Sequence, residues 1–84
     1  MHMYYITFRS VTFAQRGERI LTEGGFRCSL QRTPRWMEAQ GCGYAVRLWA
    51  KDIQKAAALL NQNRIPLRRI YVQEVGGGLE EVAT

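Results

Sequence analysis

The sequence contains no apolar run approaching the ~20 residues needed to span a bilayer, so no transmembrane helix is expected in its 84 residues. It has a single histidine, His2, and two cysteines, Cys28 and Cys42. Two thiols and one imidazole near the chain start do not make the four-ligand set of a structural zinc site, and neither a metal nor any other cofactor is expected. With no second histidine there is no cysteine–histidine–asparagine set to activate a nucleophile. A complete hydrolase is therefore not expected, and a carrier or accessory protein fits better than a stand-alone enzyme. The opening MHMYYITFRS lacks the basic region, apolar core and small-residue cleavage site of a secretory signal. Cysteines in a chain with no export signal suggest a reducing compartment and free thiols, so the expected location is cytoplasmic, with no membrane partner.

What is present is ordinary in bulk. Apolar residues at 46% and charged residues at 23% suit a folded globular chain. At this length there is room for one core, burying roughly 60–65% of the surface that the unfolded chain exposes. The net charge of +5 is spread along the sequence at Arg9, Arg16, Arg27, Arg47, Arg64 and Arg68. Such a distribution favours an anionic partner without specifying nucleic acid.

Met3 to Arg9 alternates apolar and polar residues and is rich in aromatic and β-branched types, which predicts a strand with Tyr4, Ile6 and Phe8 on one face. Ser10 stands in an N-cap position. Phe13, Ala14, Gly17, Ile20 and Leu21 then form a helical stripe, stopped by Gly24-Gly25. Gly17 inside that stripe costs about 1 kcal/mol relative to alanine, which close packing of the helix backbone on a sheet would offset. Phe26 to Arg32 alternates again and places Cys28 with Phe26 and Leu30 as a small core residue; the other reading of Cys28 is a resolving partner for Cys42. Tyr44 to Trp49 predicts a third strand, Lys51 to Asn63 a second helix led by Asp52, and Leu67 to Val75 a fourth strand after the break at Pro66. The order is β-α-β-β-α-β. Two helices of this length cover one face of a four-stranded antiparallel sheet, and right-handed crossovers then give a ferredoxin-like two-layer sandwich. One α/β sandwich domain is expected over 1–75, with 76–84 a flexible C-terminal tail.

The segment Thr33 to Gly43, TPRWMEAQGCG, carries no helix or strand period and holds Cys42. Pro34 fixes the chain where the segment begins, and Arg35 offers a planar, permanently charged fork. Gly41 and Gly43 flank Cys42 and leave its backbone free for close approach by a partner. A neighbouring arginine lowers a thiol pKa, so Arg35 and Cys42 are the candidate pair, with Pro34, Gly41 and Gly43 shaping access. The alternative is an irregular surface connection whose cysteine is inert.

The strand followed by Ser10, the Thr33-Pro34-Arg35 turn and Cys42-Gly43 opening the third strand together resemble the small bacterial proteins grouped as putative selenium/sulfur carrier protein-like. The resemblance runs from about Tyr4 to Tyr71. It implies a cytoplasmic protein in which Cys42 holds a persulfide or selenopersulfide and Arg35 supports the loop or the anion. It also implies a sulfur or selenium donor protein of the desulfurase kind and an acceptor protein. The Cys-Pro-x-Pro helix start of the better characterised sulfur-relay carriers is absent, so the chain is not equated with those.

The sheet face left uncovered by the helices would carry Tyr5, Arg9, Arg27, Arg47, Trp49, Arg69 and Tyr71. Arginines interleaved with aromatics on a sheet suit base stacking by an RNA-recognition module. The aromatic phase of the third strand fails that signature, because Trp49 lies on the face opposite Tyr44. The same patch suits a homodimer through Trp49 and Tyr71. The carrier reading ranks first, homodimerisation is compatible with it, and RNA binding ranks third.

Overall fold

A computed structural model of the chain describes residues 1–33 and 43–82. The period-two pattern at the N-terminus forms strand β1 (His2–Thr7), with Tyr4, Ile6 and, just beyond it, Phe8 buried. Ser10 turns the chain in an extended conformation, and its hydroxyl accepts the Phe13 N–H at 3.2 Å. That bond satisfies one of the orphan donors at a helix start, and α1 (Val11–Glu23) begins there. Ala14, Gly17 and Leu21 are buried, with Phe13 and Ile20 packed beside them. A β-carbon on Gly17 would stand 2.8 Å from Cζ of Phe8 and 3.5 Å from Cδ2 of Leu60. Only glycine lets the helix backbone rest on the Phe8 ring, which is the close packing its position in the stripe requires.

Strands β2 (Arg27–Arg32) and β3 (Tyr44–Ala50) pair from Arg27↔Trp49 to Arg32↔Tyr44. β3 also pairs with β1, from His2↔Ala50 to Thr7↔Ala45. The outer edge of β2 is partly covered from α1, where the Glu18 carboxylate accepts the Leu30 N–H at 2.9 Å; an edge strand blunted in this way resists pairing with another chain. The second helix, α2 (Ile53–Gln62), is capped by Asp52, whose Oδ1 accepts the Gln54 N–H at 3.0 Å. Ile53, Ala56 and Leu60 from α2 enter the same core as Ala14 and Leu21 from α1, over Ile6, Val46, Leu48 and Ile70 of the strands. Both helices therefore lie on one side of the sheet.

The sheet has five strands, not the expected four. After β4 (Ile70–Gln73) comes β5 (Leu79–Val82), paired from Ile70↔Val82 to Gln73↔Leu79. Every neighbouring pair is antiparallel, in the order β2-β3-β1-β4-β5. The stretch expected as a loose tail over 76–84 thus contains a strand. Gly76 and Gly77 adopt φ of +111° and +100°, a region that favours glycine, and the Glu74 N–H meets the Gly78 carbonyl at 2.8 Å. The glycines form a hairpin turn rather than an end, and Val82 returns to pack against the core.

β4 is also shorter than the expected Leu67–Val75, because pairing with β1 is interrupted at Thr7. The Thr7 carbonyl accepts from the Arg68 N–H at 2.7 Å, and the Thr7 N–H donates to the Arg69 carbonyl at 2.9 Å. The Arg69 N–H turns to the Thr7 hydroxyl at 3.1 Å. Two residues thus oppose one, which is a β-bulge, and the buried Thr7 hydroxyl takes the N–H that the bulge would otherwise orphan. Among the described residues no helix is long and apolar enough to cross a membrane.

Candidate functional site

Of the five site residues read from the sequence, the structure places Gly43. Pro34, Arg35, Gly41 and Cys42 lie outside the described residues, and so does the pairing of Arg35 with Cys42. What the structure does describe is the base on which their segment stands. The Thr33 N–H donates to the Gly43 carbonyl at 2.8 Å, one step beyond the Arg32↔Tyr44 pair. The Arg32 guanidinium lies 5.4 Å from the Tyr44 ring centroid and donates to the Tyr44 hydroxyl at 3.2 Å. A cation over a ring and a backbone bond thus close the β2–β3 hairpin beneath the segment. Gly43 has φ of +85° and open space where a β-carbon would stand. Its glycine is required by backbone conformation and not by crowding.

Cys28 is directed by register to the helix side, opposite Leu48. It is half-buried, packs against the core and donates to the Glu18 carbonyl at 3.5 Å, with the Thr22 hydroxyl 3.2 Å from its sulfur. Burial pushes the Cys28 thiol above its ordinary value; the Thr22 hydrogen bond opposes this and the Glu18 carboxylate adds to it. A thiol held protonated under a helix is a poor nucleophile. These surroundings agree with a small core residue.

The uncovered face is built as rows across the strands. Ser29, Arg47, Tyr5, Tyr71 and Glu81 are successive register partners from β2 to β5, and Arg27, Trp49 and Met3 form the next row. Trp49 is 41% exposed, enough for its ring to meet a partner. The Tyr5 hydroxyl reaches Oε1 of Gln73 at 3.4 Å, and Arg69 lies 3.7 Å from the Glu81 carboxylate. Sequence reasoning placed Tyr5, Arg27, Arg47, Trp49, Arg69 and Tyr71 on one face but missed Glu81, which the unexpected fifth strand brings there, and missed a second feature at the end of the sheet that carries Gly43. There Arg9, Leu67, Arg68 and Arg69 line a shallow cavity of about 260 Å³. Strict alternation would send Arg68 and Arg69 to opposite faces, so only the bulge at Thr7 reveals the cluster.

Among the described residues no group of three or more histidine, cysteine, aspartate or glutamate side chains is placed to hold a metal ion. No curated protein and no solved structure matches the chain. A family model does, over residues 3–72, and its description is "Putative Se/S carrier protein-like". The matched span contains both helices, β2, β3, all but one end residue of β1 and of β4, and the whole Thr33–Gly43 segment with Cys42. The chain belongs to this Se/S carrier protein-like family.

Proposed function

We propose that the chain is a cytoplasmic sulfur or selenium carrier, with Cys42 holding the transferred atom as a persulfide or selenopersulfide on a ferredoxin-like split βαβ scaffold. The observation that carries the proposal is the family match spanning the Cys42 segment. The environment of the other thiol supports it, since Cys28 is half-buried and its pKa is raised. The scaffold reading draws on the strand order, in which β3 lies between β1 and β2 and antiparallel to both.

In the transfer step the Cys42 thiolate attacks the terminal sulfur of a persulfide on the donor protein. The donor S–S bond breaks as the new one forms on Cys42, and the donor leaves as a thiolate that takes up a proton. Electrons balance without an external oxidant. The acceptor then repeats the exchange in the other direction. In this reading Gly41 and Gly43 open the approach to Cys42, Pro34 sets the start of the loop, and Arg35 favours the thiolate. A base is not needed, because a donor that already holds the persulfide supplies the activated atom.

Intact-protein mass spectrometry after incubation with a cysteine desulfurase and cysteine tests the proposal. A reductant-sensitive gain of one sulfur mass is expected in wild type and in Cys28→Ala, and not in Cys42→Ala. Absence of the adduct in every variant would leave family membership without the chemistry.

A further inference from the structure

We propose that Arg27, Ser29 and Arg47 form a binding site for a phosphoryl group on the open face of the sheet, beside the exposed Trp49 indole. With Cys28, these residues line a shallow cavity of about 180 Å³. Arg27 and Arg47 are diagonal neighbours across β2 and β3, with Ser29 and Trp49 at the other two corners. A diagonal relation sets two side-chain bases roughly 7–8 Å apart, so both guanidinium groups can reach one oxyanion placed between them.

The chain itself supplies no counter-charge at this place. Neither guanidinium makes a hydrogen bond or an ion pair among the described residues. Along the row that holds Arg47, the described carboxylate is that of Glu81 on β5, three strands and roughly 14 Å away at about 4.8 Å per strand. That distance exceeds the Debye length of about 8 Å at physiological salt. Arg47 is also half-buried, between Ser29 and Tyr5, and a cation partly withdrawn from water is unfavourable without a partner. Arg27 adds the repulsion of a like charge. An anion between the two relieves both effects.

The frame is suited to holding one. β3 is paired along its length with β1 on one side and β2 on the other, and a site carried on paired strands keeps its geometry better than one on a loop. The Ser29 hydroxyl accepts from the Gln31 side-chain amide at 2.9 Å, which leaves its own proton to donate to an anion.

The ligand class follows from the charges. A phosphate monoester carries close to two negative charges at neutral pH and matches two arginines, whereas a carboxylate would leave one of them unpaired. Guanidinium forks meet phosphoryl oxygens with paired, charge-assisted hydrogen bonds. Trp49, directly opposite Arg27, offers an indole face on which a flat ring of an ester would stack; free phosphate would leave that face open. The Arg27↔Trp49 pair stands five residues from the Arg32↔Tyr44 pair, roughly 17 Å at about 3.4 Å per residue. The site is therefore separate from the neck of the Thr33–Gly43 segment. The inference goes beyond the carrier reading and does not require sulfur on Cys42.

Titration of the ¹⁵N-labelled full chain with inorganic phosphate at neutral pH, at ionic strength held constant with chloride, tests the site. Trp49 also belongs to the face expected to pair with a second copy, so the chain is kept at a concentration where light scattering shows monomer. Saturable shifts are expected at the Arg27 and Arg47 Nε–H signals and at the Ser29 amide. Arg27→Gln, at an exposed position, should weaken binding on the order of tenfold, the loss of one charge-assisted bond. Arg47→Lys should weaken it less than Arg47→Gln, since it keeps the charge and loses the fork. Arg19→Gln, exposed on α1, should leave binding unchanged. Phenyl phosphate distinguishes the sources of the phosphoryl group. Tighter binding than phosphate, with the gain lost in Trp49→Leu, identifies a ring-bearing ester; equal or weaker binding identifies a free oxyanion, and either supports the site. Linear shifts that chloride reproduces would overturn the proposal. So would affinity unchanged in both Arg27→Gln and Arg47→Gln, or acetate binding as tightly as phosphate.

Discussion

Replacing Gly17 by alanine sets two effects of similar size against each other, and the structure decides between them. Alanine in a helix interior is favoured over glycine by about 0.8–1.0 kcal/mol, so on propensity alone the variant should be more stable. The new methyl would stand 2.8 Å from Cζ and 3.2 Å from Cε1 of Phe8. Those are atoms of a fully buried ring, which cannot swing aside as an exposed side chain could. Overpacking a filled core typically costs about 1–3 kcal/mol. The net expectation is a loss of about 1 kcal/mol, which in a domain of this size lowers Tm by roughly 4–8 °C. Thermal and urea melts followed by circular dichroism measure it. Gln15→Ala, on the exposed face of the same helix, is the control and should change stability by less than about 0.5 kcal/mol. In a Phe8→Leu background the ring is gone and Gly17→Ala should become stabilising, giving a coupling energy of opposite sign to the single change. A rise in Tm for Gly17→Ala in the wild-type background would refute the reasoning, because the helix would then not be resting on Phe8.

The raised pKa of Cys28 makes a second expectation with a definite sign. Its folded value lies above the ordinary 9.0, so the stability it contributes is complete below about pH 9 and is lost as pH rises through the folded value; Cys28→Ala should flatten the alkaline limb of a stability–pH curve. Glu74 is fully exposed yet its carboxyl is raised from its ordinary value, first by a hydrogen bond with Glu80 and then by the charge of that neighbour. Glu80→Gln should therefore bring the Glu74 titration closer to 4.5 in carboxyl NMR shifts, and an unchanged titration would remove Glu80 as the cause. The open face is expected to pair with a second copy through Trp49 and Tyr71, since burying one large aromatic side chain is worth ~2–3 kcal/mol. Light scattering should show a dimer for wild type and a monomer for Trp49→Glu, and monomers for both at high micromolar concentration would free this face for another partner.

The parts of the fold legible in the sequence were those governed by local periodicity. Tyr4-Ile6-Phe8 and Phe26-Cys28-Leu30 alternate because one face of each strand meets the helices, and Ser10 and Asp52 stand where helix starts need an oxygen acceptor. Gly17 was legible because a glycine in an apolar stripe has few reasons to be there. The fifth strand was not. Gly76-Gly77-Gly78 reads as an end when nothing signals a return, and Leu79-Glu80-Glu81-Val82 is too short and too acidic to alternate visibly. The bulge at Thr7 was hidden for another reason, since it depends on a contact between residues 62 positions apart. That contact alone brings Arg68 and Arg69 to one cavity. The candidate loop was recognised by composition and by family pattern. Its neck, where Thr33 meets Gly43 and Arg32 meets Tyr44, follows from strand register, which composition does not encode.

The most direct test of the carrier proposal is the mass of the folded protein after exposure to a cysteine desulfurase and cysteine, with each thiol mapped by peptide analysis. Wild type and Cys28→Ala are expected to gain one sulfur on Cys42, removable by reductant, and Arg35→Ala is expected to gain it more slowly at neutral pH. Cys42→Ala is expected to gain none. Sulfur found on Cys28 in the folded chain, or on neither cysteine, would contradict the assignment of Cys42 as the residue that carries it.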